Sequence, residues 1–354
     1  MPEKKILAYF TPSLSSFAKK DINIFSEHYD VHVFLFNPPK KILTPLYFLR
    51  QLWFLLKNYK ATSYVSQFAG YHALLPGFFS KIPGKKSFIV TGGTDCVSFP
   101  QMGYGNFSKK LLGLMTCLSF RLADKILPVH SSLVESVNNF DPDQSGLQGM
   151  LAFCSKLKTP WKVVFNGYDA SAWQRTSAKE PGTFITVAAG VADLTRFRLK
   201  GLDLIFEAAK LYPQCTFTIV GCTHFNFKIE LPANVKLIGF AEKEQLIELF
   251  SRHMYYLQLS ISEGFPNAIC EAMLCECIPV GSSVGALPDI IGNTGYVLTG
   301  KDILQLRSLM DDCLTLNTDH GKHARERIAT LFSIAQRKEV LLHQVAGART
   351  VHIR

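Results

Sequence analysis

Two glutamates eight positions apart, Glu263 and Glu271, stand in the segment of this sequence best suited to chemistry. From 261 to 274 the chain reads Ile-Ser-Glu-Gly-Phe-Pro-Asn-Ala-Ile-Cys-Glu-Ala-Met-Leu. Pro266 suits the first turn of a helix, where its missing N–H needs no partner. A helix is expected to start there, preceded by a loop carrying Glu263 and then Gly264, which lets backbone approach a ligand closely. The amides of such a first turn, near Phe265, Asn267 and Ala268, suit anionic or hydroxyl-rich groups. Glu271 falls about five residues into the helix among Ala268, Ile269, Cys270, Ala272, Met273, Leu274 and Cys275, and a carboxylate there needs donors. An ionised glutamate only accepts hydrogen bonds, so a vicinal diol such as a ribose offers it two matching donors.

These residues need a scaffold, and the rest of the chain supplies one. Strands are expected at Lys5–Phe10, Val31–Phe36, Ser63–Phe68 and Ser87–Thr91, with helices over Phe17–Ser26 and Leu46–Tyr59 between them. A second run follows: Phe184–Ala189, Thr216–Val220, Val235–Ile238, Tyr255–Ser260, Ile278–Gly281 and Tyr296–Leu298. Strands that alternate with helices pair in parallel and carry helices on both faces. Ligands of such sheets bind beyond the carboxyl ends of the strands, and the Glu263 loop follows one of those ends. The pattern predicts two doubly wound α/β domains, 1–165 and 166–332, joined by the turn-rich stretch Tyr168–Gly182. His323–Val345 reads as helical with no strand after it, so a C-terminal helix, about 333–354, is expected to pack back on the first domain.

With these residues in place, the sequence resembles the retaining GT-B glycosyltransferases of the group 1, or family 4, type. Ser-Glu-Gly-Phe-Pro-Asn, Glu271-Ala-Met and Ile278-Pro-Val carry the likeness. Val164-Phe-Asn-Gly-Tyr-Asp169 looks like the family's Asn-Gly-x-Asp, Lys200-Gly-Leu-Asp-Leu-Ile resembles the segment opening a long donor-domain helix, and Gly321–Ser333 is similar to its closing helix. The resemblance covers the second half well and the first half loosely. It implies a GT-B fold, two Rossmann-like domains facing across a cleft. The donor would be a nucleotide diphosphate sugar, UDP- or GDP-linked, acting as co-substrate without any further cofactor. Glu271 would bind the ribose hydroxyls; Glu263, with Gly264, Phe265, Pro266 and Asn267, would hold the transferred sugar. Lys200 and an upstream arginine would neutralise the diphosphate. The leaving nucleotide gains negative charge in the transition state, and fixed cations stabilise it, so no metal is expected.

The chain departs from the family in three places. Gly190 is followed by Val191 instead of arginine, and the nearest guanidiniums are Arg196, the favoured candidate, and Arg198. Gly92 stands where many members carry a histidine ahead of Gly-x-Asp, which leaves Asp95 as the first-domain candidate for contacting the donor sugar or orienting the acceptor. Thr11-Pro-Ser-Leu-Ser-Ser replaces the usual glycine pair after the first strand. His72 and His130 are weaker first-domain candidates.

Charge points to the acceptor side. Residues 1–165 carry 19 Lys and Arg against 9 Asp and Glu, whereas 166–354 carry 19 of each, so the whole excess of +10 lies in the first half. A basic half attracts an acidic partner such as an anionic membrane surface or a phosphorylated acceptor. The basic residues are scattered and no recognition module is present, which argues against nucleic acid. The helix 46–59 carries Leu46, Leu49, Leu52, Trp53 and Leu56 on one stripe and suits either the sheet of its own domain or a membrane surface. The longest apolar run, Ile42–Leu56, has 15 residues and contains Arg50, against about 20 for a spanning helix. Nine cysteines without a CxxC pair argue against structural zinc and a disulfide framework. Cys117, Cys215 and Cys270 read as buried thiols, and a cytoplasmic location, peripheral to the inner face of the membrane at most, is expected. The expected function is transfer of a sugar to a glycan or lipid-linked acceptor in cell-surface polysaccharide assembly. A non-catalytic nucleotide-sugar-binding protein and a nucleotide-sugar epimerase stay open as alternatives on the same scaffold.

Overall fold

The chain opens with β1 (Lys5–Thr11), buried from Leu7 onward, and passes through α1 (Ser16–Ser26) to β2 (Tyr29–Leu35). The alternation continues through α2 (Thr44–Lys57), β3 (Ser63–Gln67), α3 (Tyr71–Phe79), β4 (Lys86–Thr91), α4 (Lys110–Leu122) and β5 (Lys125–Pro128). The structure, a computed structural model, describes residues 4–191, 193–316 and 319–346. The five strands form one parallel sheet in the order β2-β1-β3-β4-β5, with Leu7 opposite Ser63 and Ser63 opposite Lys86. Right-handed crossovers place α1 on one face and α2, α3 and α4 on the other. The inner strands are therefore covered on both sides and read as apolar runs, Phe88, Ile89 and Val90 among them. β5 is not among the expected strands, because four residues ending in proline carry too little pattern.

By contact the chain divides into two units: 1–136 with 147–166 and 335–354, and 137–146 with 167–334. Two three-residue strands, β6 (Ser136–Asn138) and β7 (Gly146–Gln148), stand where the chain leaves the first unit and returns, ahead of the short α5 (Met150–Phe153). The second unit continues with β8 (Glu180–Val187), α6 (Leu194–Leu199), α7 (Leu202–Leu211), β9 (Thr216–Val220), β10 (Val235–Ile238), α8 (Lys243–Arg252) and β11 (His253–Gln258). It closes with α9 (Asn267–Leu274), β12 (Ile278–Ser282), α10 (Leu287–Ile291), β13 (Tyr296–Leu298), α11 (Ile303–Leu314) and α12 (Asp319–Leu331). Its six strands run parallel in the order β10-β9-β8-β11-β12-β13. Phe184 sits between Phe217 and Tyr255 of the flanking strands, with ring centroids 5.0 and 4.7 Å away, and this stack crosses the sheet centre. The inserted residues 137–146 are tied in by Lys301, which bonds Asp141 (3.3 Å) and Asp203 (2.8 Å) and donates its amide to Phe140.

The tail departs from the single helical stretch expected over His323–Val345. It forms α12 and α13 (Ile334–Ala346), interrupted because Tyr168 donates its amide to Phe332 and accepts from that of Ile334. Within the first unit α13 is anchored to α1. Arg337 forms a two-pronged pair with Asp21, both bonds 2.7 Å, and donates to the carbonyls of Val164 and Phe165. Residues 347–354 of the expected tail helix lie outside the described residues.

Two expectations about side chains are corrected. Cys117 on α4 is not a free thiol: it is joined to Cys154, 37 positions on, by a disulfide. The partner follows α5, an element too short to be read, so sequence spacing held no sign that the two would meet. Cys215 and Cys270 are buried thiols as expected. The apolar stripe of α2 is not its packed face. Phe54 and Leu55 meet the core around Phe10 and Tyr64 while Leu49 and Trp53 remain 64% and 70% exposed. Among the described residues no helix is long and apolar enough to cross a membrane.

Candidate active site

The donor-side candidates lie in the loops and short helices that follow β8 and β11, beyond the carboxyl edge of the second sheet. Two close backbone contacts hold these loops. Gly201, at φ +68°, closes the turn between α6 and α7 so tightly that a Cβ would lie 2.0 Å from the Leu259 carbonyl oxygen. One step away, the Ile261 amide donates to the Leu199 carbonyl at 2.9 Å. The segment bearing Lys200 is thus fixed against the loop after β11. On the other side Gly285, at φ +57°, touches the Glu263 backbone so closely that a Cβ would fall 2.0 Å from its carbonyl oxygen, and the Ala286 amide donates to Gly264. Only glycine fits such an approach at that φ.

Lys200 and Glu263 meet. The Lys200 Nζ donates to Glu263 Oε1 at 2.8 Å, and Gln258 Nε2 donates to the same oxygen at 3.0 Å. Gln258 in turn accepts from the buried Tyr256 hydroxyl at 3.0 Å and donates to Ser260 at 2.9 Å. Burial pushes the Tyr256 phenol well above its ordinary pKa, and the negative charges of Glu263 and Glu271 add to the shift. Gln258 and Tyr256 escaped the sequence reading; the available signal was a polar glutamine at the end of the apolar run Met254-Tyr-Tyr-Leu257.

The remaining donor-side candidates are placed as follows. Glu271 is the fifth residue of α9 and partly exposed. Pro266 stands one residue ahead of the helix, at its N-cap, instead of inside the first turn. Phe265 is buried, stacked on Tyr168 and edge-on to Phe332, so its backbone alone is available to a ligand. The Asn267 side chain accepts from the Tyr168 hydroxyl at 2.8 Å. Arg196 and Arg198 are both exposed on α6, whose N-cap Asp193 accepts the Arg196 amide. Residues four apart share a helix face and residues two apart do not, so Arg196 is the one on the side of Lys200.

The first-unit candidates are all buried. Asp95, expected to contact the sugar or the acceptor, has no exposed surface; its carboxylate accepts the amides of Ala69, Gly92 and Gly93 at 3.0–3.2 Å. Burial raises its pKa, and those amides oppose the shift. In this structure it braces the loop after β4. Gly92 is demanded by Phe68, whose ring would lie 2.3 Å from an added Cβ, which leaves no room for a histidine there. His72 is buried with Nε2 2.7 Å from the Gln67 carbonyl, and His130 engages Ser132.

Residues 176–329 match the family described as glycosyl transferases group 1. The matched residues all fall in the second unit. The chain is similar, at 22% identity over 200 residues, to a phosphatidylinositol N-acetylglucosaminyltransferase subunit of Arabidopsis thaliana, covering 52% of this chain and 44% of that protein. It is 24% identical over 185 residues to the GDP-mannose:cellobiosyl-diphosphopolyprenol alpha-mannosyltransferase of Xanthomonas campestris, 49% of this chain and 48% of that one. The chain thus spans less than half the length of either relative. Anabaena HepE, solved in complex with UDP, superposes with a TM-score of 0.71 at 16% identity, over 97% of this chain and 100% of its own. The fold is that of the GT-B glycosyltransferases, built from two Rossmann-like domains. The Lys200–Glu263 pair and Glu271 all lie within the matched residues.

Proposed function

We propose that this protein is a retaining glycosyltransferase that takes a sugar from a nucleotide diphosphate donor and passes it to a glycan or lipid-linked acceptor in cell-surface polysaccharide assembly. The observation that carries the reading is the Lys200–Glu263 pair. A cation suited to a diphosphate and a carboxylate suited to sugar hydroxyls are held 2.8 Å apart by two glycine-tight turns, at the sheet edge where such folds bind ligands. Glu271 accepts from the ribose diol. Lys200 and Arg196 stabilise the charge that develops on the departing nucleoside diphosphate. The bond from the anomeric carbon to the phosphate oxygen breaks, the acceptor hydroxyl attacks from the same face, and its proton passes to the leaving phosphate. The nucleotide sugar is a co-substrate, and this reading needs neither a resident cofactor nor a metal. UDP in a structural neighbour, and GDP-mannose and lipid acceptors in the names of relatives, support the donor and acceptor classes.

The test is a thermal-shift screen against UDP, GDP, ADP and CMP sugars. A donor present at about 100 times its Kd stabilises the folded state by about 2.7 kcal/mol. Glu271→Gln is expected to abolish that gain. No shift with any nucleotide sugar, or an undiminished shift in Glu271→Gln, overturns the reading. Turnover without an acceptor to a stereoisomeric donor would identify an epimerase, and an inverted product would reject retention.

A further inference from the structure

We propose that the outer face of α2 is a docking site for an anionic lipid bilayer, an inference that stands apart from the reaction above. Successive helical residues turn by about 100°, which brings Leu46, Leu49, Trp53 and Leu56 within an arc of about 80°. Leu55 points the other way, into the core, and the partly buried Phe54 lies between the two faces. The four side chains of the arc are 49%, 64%, 70% and 52% exposed. A scattered exposed leucine needs no explanation, whereas a continuous row rimmed by charge marks an interaction surface. The rim is here of one sign. Between Asp30 and Asp95 the chain contains no Asp or Glu and eight Lys and Arg. Arg50 and Lys57 flank the arc and, with Phe34, Leu49, Trp53 and Phe54, line a groove of about 510 Å³.

That composition selects the occupant. A solvated face ordinarily mixes both charges, and a second copy of this chain would oppose basic rims with no acid to pair them. An anionic bilayer satisfies both halves of the surface: headgroups meet Lys40, Lys41, Arg50, Lys57 and Lys60, and the acyl boundary receives the arc, as for helices that lie about 5–10 Å deep in an interface. Each basic side chain near such a surface strengthens binding about fivefold, so removing three weakens it by roughly a hundredfold.

The experiment uses the full chain with vesicles of phosphatidylcholine mixed with phosphatidylglycerol, and of phosphatidylcholine alone. Sedimentation with the mixed vesicles at low salt, little with the neutral ones and release at high salt are expected. The Trp53 emission moves to the blue on binding, and brominated acyl chains quench it. Arg50→Gln/Lys57→Gln/Lys60→Gln and, separately, Leu49→Gln/Trp53→Gln lose the binding while keeping the melting temperature of the parent. Leu304→Gln/Lys210→Gln, on an exposed part of the second unit, keeps it. Binding that survives both α2 variants, or no binding at low salt, overturns the proposal. Lipid-free self-association abolished by Leu49→Gln/Trp53→Gln assigns the face to a second copy, and equal binding to neutral vesicles removes the electrostatic half of the argument; either result overturns it as well.

Discussion

Replacing Gly285 by alanine tests whether the site depends on the placement of the Glu263 backbone. The new Cβ would start 2.0 Å from the Glu263 carbonyl oxygen and 2.8 Å from its carbon, and real contacts of this kind begin near 3.0 Å. The loop must therefore move by about 1 Å, which for reacting groups held in register costs on the order of a hundredfold in rate, or about 2.7 kcal/mol. The left-handed backbone adds a stability cost of about 1–2 kcal/mol. Gly182 separates the two effects. It has φ +69°, close to the +57° of Gly285, but its added Cβ meets only Cys215 Sγ, at an ordinary 3.7 Å. Gly182→Ala should lose the same backbone increment of stability and keep its activity, while Gly285→Ala loses both. Chemical denaturation measures the first quantity, and kcat/KM with the donor selected by thermal shift measures the second. If Gly285→Ala and Gly182→Ala turn over within threefold of one another, backbone placement of Glu263 is not what the Gly285 contact provides.

Four further outcomes follow from the geometry. Arg196→Ala should weaken nucleoside diphosphate binding by calorimetry and Arg198→Ala should not; equal losses would show that the shared face with Lys200 is irrelevant. Arg337→Met strands the buried Asp21 carboxylate, at 0% side-chain exposure, and should cost about 3–5 kcal/mol in urea denaturation, most of it restored by adding Asp21→Leu. His72 has a folded pKa of about 4 because burial disfavours its charged form. The unfolded chain takes up that proton first, so stability is full above about 6.5 and falls by roughly 3 kcal/mol as pH drops to 4; an NMR titration showing a charged ring at pH 5.5 would contradict this. Reducing the Cys117–Cys154 bridge, which closes a loop of 37 positions, should destabilise the first unit by about 4 kcal/mol, read by comparing melts with alkylated thiols counted by mass.

Much of the scaffold was legible because buried parallel strands leave apolar runs that need no context. All six strands of the second sheet stand where Phe184, Thr216, Val235, Tyr255, Ile278 and Tyr296 announce them, within a few residues. The Ser-Glu-Gly-Phe-Pro-Asn run likewise pointed to a loop and helix start. The sequence did not reveal what depends on distant pairs. The Cys117–Cys154 bond and the break between α12 and α13 made by Tyr168 join residues far apart in the sequence, and the bonding of Gln258 to Glu263 depends on the path of the loop after β11. Asp95 shows the limit of type and loop position, since the same carboxylate can face a ligand or cap three amides, and only its burial decides. The stripe on α2 shows another: periodicity finds an apolar face and does not say whether protein covers it.

The excursion of residues 137–146 into the second unit has a consequence for anyone who would divide this chain. The polypeptide passes between units at 136/137, 146/147, 166/167 and 334/335, so neither half is a contiguous stretch of coding sequence. A cut at 166 would strip the N-terminal fragment of Arg337, the counter-ion of its interior Asp21, and deprive the C-terminal fragment of Asp141, one of the two carboxylates gripping Lys301. Evolutionary shuffling or laboratory grafting of the donor half therefore has to carry a ten-residue piece from the other side of the join, or supply a new anion for that lysine.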